Sequence, residues 1–103
     1  MSIGLWRQPD DDPGAAPIHL ARMDAHRDRI RAVAFSADGR LLATGGDDYT
    51  MRLWDVRHPD LPEPAGALTR VGHRVTSLAF SPRNDPLAVG SSDGRMRVYR
   101  LTI

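Results

Sequence analysis

The sequence predicts an all-β fold made of repeated four-stranded antiparallel units, and three observations carry that prediction. The segment VAFSADGRLLATGGDDYTMRLWDV (Val33 to Val56) lies without gaps over LAFSPRNDPLAVGSSDGRMRVYRL (Leu78 to Leu101), at an offset of 45 residues. Phe35 falls on Phe80, Ser36 on Ser81, Leu42 on Leu87, Gly45 on Gly90 and Asp48 on Asp93. Met51, Arg52, Leu53 and Trp54 fall on Met96, Arg97, Val98 and Tyr99. A fixed period of this length marks an architecture in which each copy is one supersecondary unit. The second observation is alternation: within each copy apolar residues recur at period two, as a half-buried strand requires. The third is the absence of any window with helical periodicity, while turn-forming residues separate the alternating runs.

Taken in chain order, IGLWR (Ile3 to Arg7) aligns with MRLWD and MRVYR, so the chain opens inside a unit, at its third strand, with Trp6 in the Trp54 position. After the Pro-rich loop QPDDDPGAAP comes APIHLARM (Ala16 to Met23), the fourth strand of that unit. The first full copy then runs through IRAVAFS, the turn ADG, RLLATGG and YTMRLWDV. In the last of these, Met51 and Leu53 face one side of the sheet and Arg52 and Trp54 the other, because side chains alternate along a strand. The loop HPDLPEPAG leads to a fourth strand, AGALTRV (Ala65 to Val71). The second copy repeats the order with VTSLAFS, the turn PRND, PLAVGSS and RMRVYRL, and stops after its third strand. The expected division is 1–23 for two strands of a preceding unit, 24–71 for a complete unit, and 72–103 for a unit without its outer strand.

These residues resemble the WD40-repeat β-propeller family. The first copy carries most of that signature: His26, then IRAVAFSADG, LLATGGDD and MRLWD, with the spacing expected of one repeat. The resemblance implies propeller blades: two four-stranded antiparallel blades, the last lacking its outer strand, plus part of a preceding blade, in an incomplete propeller. It also implies a side-chain brace of His26, Thr44, Asp48 and Trp54. In it the Trp54 indole donates to the Thr44 hydroxyl, Thr44 donates to the His26 ring, and His26 bonds Asp48. Such a relay is tolerated inside a sheet only when every partner is present. This reading of Asp48 and His26 is structural, not catalytic, since no nucleophile or metal-ligand set accompanies them. The second copy departs from the pattern at His73, Val89, Asp93 and Tyr99: Val89 replaces the hydroxyl, Tyr99 replaces Trp, and His73 lies two residues closer to its strand. No full network is expected there, and that blade is expected to rest mostly on apolar packing.

Composition bounds the function. The chain has 103 residues, a net charge of +1 and no cysteine. It therefore has a thin core of its own, no disulfide or thiolate zinc site, and no field to attract nucleic acid or an anionic membrane. All 14 of its Lys+Arg residues are arginine, and Glu63 is the only glutamate, a bias that fits GC-rich codon usage and a bacterial source. The amino terminus lacks a signal-peptide pattern, and no apolar run approaches the roughly 18 residues of a membrane helix, so a cytoplasmic location is expected.

Blades bury both faces on neighbours, and at least about three repeats are usually needed. Two arrangements would cover the open faces here: the chain is the carboxyl-terminal part of a longer bacterial WD-repeat protein, or three or four copies assemble into a ring. The leading expectation is a non-catalytic scaffold for protein partners, with no cofactor, metal, nucleic acid or membrane. A self-assembling structural unit is the alternative, and an enzyme or nucleic-acid binder comes last. If the brace forms, loops 24–29, 46–49, 72–74 and 91–94 share one rim, where Arg27, Arg29, Asp47, Tyr49, Arg74 and Ser92 are the candidate partner-binding residues. Other features have plainer readings. His19, His26, His58 and His73 lack close ligand spacing, and Asp10 to Asp12 read as a solvated loop rather than a calcium site. Gly45 and Gly46 are assigned to a turn, since no phosphate-binding helix follows them. Arg52 and Arg97 are expected to pack their stems along the sheet.

Overall fold

A computed structural model describes residues 2–7, 14, 16, 18–66, 69–83 and 86–100. The acidic run Asp10 to Asp12 and the terminal residues Leu101 to Ile103 lie outside the described residues. The elements are all strands: β1 (Ser2–Arg7), β2 (Ile18–Asp24), β3 (Ile30–Phe35), β4 (Leu41–Gly46), β5 (Thr50–Asp55), β6 (Glu63–Pro64), β7 (Thr69–Arg70), β8 (Val75–Phe80), β9 (Leu87–Ser91) and β10 (Met96–Tyr99). No helix among the described residues is long and apolar enough to cross a membrane.

Three antiparallel sheets result: β1-β2, β3-β4-β5 continued by β6 and β7, and β8-β9-β10. The middle sheet is the complete unit. Its outer strand begins earlier than the Ala65 to Val71 run expected from sequence, at Glu63. Its described parts are β6, against Trp54 and Asp55, and β7, against Thr50 and Met51; residues 67 and 68 lie outside the described residues. Pro64 has no N–H to give the ladder, so β6 is short. Between the pieces Ala65 N–H still reaches the Leu53 carbonyl at 2.9 Å. The tight β3–β4 turn is built by Ser36 and Asp38. The Ser36 hydroxyl donates to Asp38 at 2.7 Å and accepts from Leu41 N–H at 3.0 Å, and Gly39 supplies the left-handed residue at φ 74°.

The alternation of each strand places the core between sheets rather than within one. One apolar cluster joins Leu5 of β1, Met23 of β2 and Ala25 to Leu42, Trp54 and Val56 of the middle unit. The other joins Ala43, Met51 and Val71 on that unit's opposite face to Val75, Leu87 and Val89 of the next. Leu42 and Leu87, matched by the repeat, thus face the preceding sheet in both copies. The stack is open beyond β10. Met51 is 2% exposed against its neighbour, whereas Met96, its counterpart, is 73% exposed, and Val98 is exposed beside it. The described chain is an arc of antiparallel blades, not a closed ring.

Gly45 and Gly46 correct the turn assignment made from sequence. Both lie in β4, and neither has positive φ. What each lacks is a Cβ: at residue 45 it would overlap the Val75 side chain, and at residue 46 the Arg29 carbonyl. The glycines permit close packing, and the turn's left-handed position is taken instead by Tyr49, at φ 67°.

Candidate functional site

The β4–β5 turn brings the acidic pair Asp47 and Asp48 to the loop that follows β2. His26, on that loop, is buried and spans the two elements. Its Nδ1 lies 3.1 and 3.0 Å from the two Asp48 carboxylate oxygens, and its Nε2 lies 2.7 Å from the Thr44 hydroxyl. The Trp54 indole N–H donates to the same Thr44 oxygen at 3.2 Å. Donor counting assigns the tautomer: a carboxylate only accepts, so Nδ1 carries the proton and Nε2 accepts from Thr44. Thr44 is then satisfied as acceptor from Trp54 and donor to His26. The structure thus brings His26, Thr44, Asp48 and Trp54 together.

Thr50 belongs to this cluster and was not singled out by sequence. Its hydroxyl donates to Asp48 Oδ1 at 2.7 Å and lies 3.0 Å from His26 Nδ1, and its N–H donates to Asp48 at 3.2 Å. The Arg27 N–H reaches the other Asp48 oxygen at 3.2 Å. Burial works to raise the Asp48 carboxyl, but the bonds from Thr50, His26 and the Arg27 N–H outweigh it and hold the group below its ordinary range. The only sequence signal for Thr50 was a hydroxyl two residues after Asp48, the spacing of a local side-chain turn.

The second unit is built differently. His73 Nε2 lies 3.5 Å from Asp93 with its side chain 47% exposed, against a fully buried His26. Val89 is buried among Val75 and Leu87, and Tyr99 packs partly buried beside them. A polar cluster absent from the sequence reading surrounds Asp93. The Ser91 hydroxyl donates to Asp93, and Arg97 donates to Ser91 at 2.6 Å and to Asp93 at 3.3 Å. The Ser91 bond, reinforced by Arg97 and the Arg95 N–H, depresses the Asp93 carboxyl strongly. Arg97 therefore grips a carboxylate across the sheet and does not merely lay its stem on it.

Equivalent backbone links repeat along the rim: Asp47 N–H to the Arg29 carbonyl at 2.8 Å, and Ser92 N–H to the Arg74 carbonyl at 2.9 Å. Arg27, Arg29, Tyr49, Arg74 and Ser92 are exposed there. Asp47, expected from sequence to be a partner-binding residue of this rim, is not an open carboxylate. Its side chain is only 10% exposed, held by Arg31 through bonds of 2.9 and 3.0 Å, with Arg74 of the following unit at 3.8 Å. Arg31 sits on β3 next to this turn, where Ile30 pairs with Gly46, so the pair closes on the acid within the unit. Among the described residues no group of three or more His, Cys, Asp or Glu side chains is placed to hold a metal.

The sequence compares with known proteins along nearly its whole length. The family described as WD domain, G-beta repeat matches residues 18–55 and 66–100. Coronin-7 of Bos taurus is 34% identical over 103 residues, covering 94% of this chain and 10% of that protein. The target of rapamycin complex subunit wat1 of Schizosaccharomyces pombe is 30% identical over 89 residues, 84% of this chain and 26% of that protein. The target of rapamycin complex subunit LST8 of Bos taurus is 28% identical over 85 residues, 82% of this chain and 26% of that protein. The chain thus spans about a tenth to a quarter of the length of these relatives. With two matched repeats, stacked antiparallel blades and the repeat-period sequence in agreement, the chain belongs to the WD40-repeat family.

Proposed function

We propose that the chain is a non-catalytic protein-interaction scaffold module, with residues 1–23 as two strands of a preceding blade, 24–71 as a complete blade and 72–103 as a blade lacking its outer strand. One observation carries the reading: the buried His26–Asp48 link ties the loop after β2 to the β4–β5 turn. Asp48 spends both oxygens on internal donors, and so holds its loops. Fixed loops on a stiff sheet suit recognition, and Arg27, Arg29, Tyr49 and Arg74 supply guanidinium forks and one aromatic. The relatives include two proteins named as subunits of a target of rapamycin complex, which supports a role in assembly. The all-arginine cation set supports a bacterial source, although the relatives named above are eukaryotic.

Two comparisons test the proposal. Co-purification is measured with the unaltered chain, with a rim variant (Arg27→Ser, Tyr49→Ser, Arg74→Ser), and with an opposite-rim variant (Arg40→Ser, Arg83→Ser). The scaffold reading expects a partner protein lost in the first variant alone; identical profiles for both variants overturn it. Asp48→Ala is the second comparison. The brace reading expects a less stable fold, whereas an intact fold that has lost a measurable activity would favour an enzyme.

Exposed Met96 and Val98 on the open face favour a second reading, a ring completed by further copies. Light scattering after size exclusion decides it: a clean trimer or tetramer supports the ring, and a monomer or heterogeneous aggregate excludes it.

A further inference from the structure

We infer that a groove beside the brace is a docking slot for an acidic peptide segment of a partner protein, with Arg27, Arg52 and Arg70 as its counter-charges. The inference rests on the scaffold reading above and specifies the chemistry of its partner. The groove measures about 330 Å³ and is lined by these three arginines together with Asp48, Tyr49 and Thr50. Three separate elements supply the guanidinium groups: the loop after β2, strand β5 and strand β7. None of the ion pairs among the described residues involves them. Asp48, the one acid among the described lining residues, is occupied by His26, Thr50 and the Arg27 N–H.

Arg52 carries the argument furthest. Its Nε is buried and has no hydrogen-bond partner, an arrangement folded proteins rarely leave in place. The repeat provides an internal comparison. Arg97 stands at the matching position and is satisfied within its own unit, by Ser91 and Asp93. In the first unit the Ser91 position is Gly46 and the carboxylate is drawn off by the brace, so the same guanidinium has nothing to grip. Tyr49 points to the same place from a different direction. It holds a left-handed conformation at φ 67°, where the other unit has Gly94 at φ 80°. A half-exposed aromatic kept in a strained position beside a ligand groove is typical of binding sites.

Guanidinium forks pair with carboxylates through two parallel bonds. Three forks spread along an open groove match several carboxylates on an extended chain better than one compact ion. The chain's net charge of +1 lacks the broad basic field that nucleic-acid binding depends on.

The test is fluorescence anisotropy of a labelled hexaglutamate peptide with the 103-residue chain, at low and raised salt, beside a labelled oligothymidylate. The peptide is expected to bind, and to bind more weakly as salt screens the pairs. Arg52→Gln is expected to weaken it by about tenfold, and Arg52→Lys by less. Arg27→Gln and Arg70→Gln alter exposed side chains and keep the proposal testable should Arg52→Gln fail to fold by circular dichroism; each is expected to weaken binding several-fold. Arg40→Gln, on the opposite rim, should leave it unchanged. No binding by the folded chain, or undiminished binding by Arg27→Gln and Arg70→Gln, overturns the inference. Tighter, arginine-dependent binding of the oligothymidylate overturns it in favour of nucleic acid. Failure of the peptide to bind leaves the scaffold reading standing; that reading is tested separately, by the rim variants and by Asp48→Ala.

Discussion

Gly45 of β4 lies directly against the buried side chain of Val75 of β8, so close that a Cβ at residue 45 would overlap it. This close approach of the middle unit to the next lies in the cluster where Ala43 and Met51 pack with Leu87 and Val89. Gly45→Ala is expected to destabilise the fold by about 1–3 kcal/mol, the usual cost of overpacking. Adding Val75→Ala removes the clash and should recover part of the loss, although Val75→Ala alone leaves a cavity. Urea unfolding of the two single variants and the double variant measures this coupling; strictly additive effects would show that the two residues do not meet.

Thr44 is buried between Trp54 and His26 and serves both. Thr44→Val preserves shape and strands two polar groups, so a loss of about 1–3 kcal/mol is expected. Trp54→Phe removes one donor and should fall in the same range. Tyr99 is the contrasting site: among the described residues its hydroxyl has no hydrogen bond, and Val89 occupies the Thr44 position. Tyr99→Phe should therefore change little. Equal losses at Thr44 and Tyr99 in chemical denaturation would contradict the asymmetry between the two units.

Acid should act through Asp48. The carboxyl lies below its ordinary value of 3.8 in the fold because its hydrogen bonds outweigh burial. Folding therefore favours the charged form. The resulting stability is fully present above about pH 4 and is lost as pH falls through the lower folded-state value. Asp48→Asn has no such charge to lose. The stability gap between the wild type and Asp48→Asn should be flat from neutral pH down to about pH 4 and shrink below it. A gap that widens on acidification would place the sign the other way.

The strands were legible because the repeat fixes where each begins and ends. Ile30–Phe35 alternates as its sequence does, Leu41–Gly46 is the apolar run buried nearly throughout, and Thr50–Asp55 lies inside the Tyr49 to Val56 run read from sequence. The start of the outer strand was less legible, since Pro64 has no N–H for the ladder and only the partner strand β5 shows that Glu63 pairs. The glycines were misread for a related reason. A glycine that makes room for a neighbour's Val75 looks, in one dimension, the same as a glycine that turns the chain. The brace residues carried a strong spacing signal, but Thr50 did not, because threonine is also an ordinary strand residue. Ser91 carried no sequence signal, and Arg97 was read only as a packed stem, because its pairing with Asp93 depends on that carboxylate lacking a buried histidine.

Tyr49 gives the sharpest separation of stability from function. Its φ of 67° places a bulky side chain in a region where the matched residue, Gly94, sits at φ 80° without penalty. Left-handed backbone costs a non-glycine residue roughly 1–2 kcal/mol, part of which glycine gives back through its greater freedom when unfolded. Tyr49→Gly is thus expected to raise stability by up to about 1 kcal/mol, since the ring is 49% exposed and little packing is lost. The same variant strips the aromatic from the groove that Arg27, Arg52 and Arg70 line, so its affinity for hexaglutamate should fall. Thermal melts and anisotropy on one preparation read both quantities. A variant that is more stable and binds more weakly shows that the strain is maintained for recognition. A less stable variant that binds as before would mean that the ring serves packing, and that the conformation is simply what the turn between Gly46 and Thr50 requires.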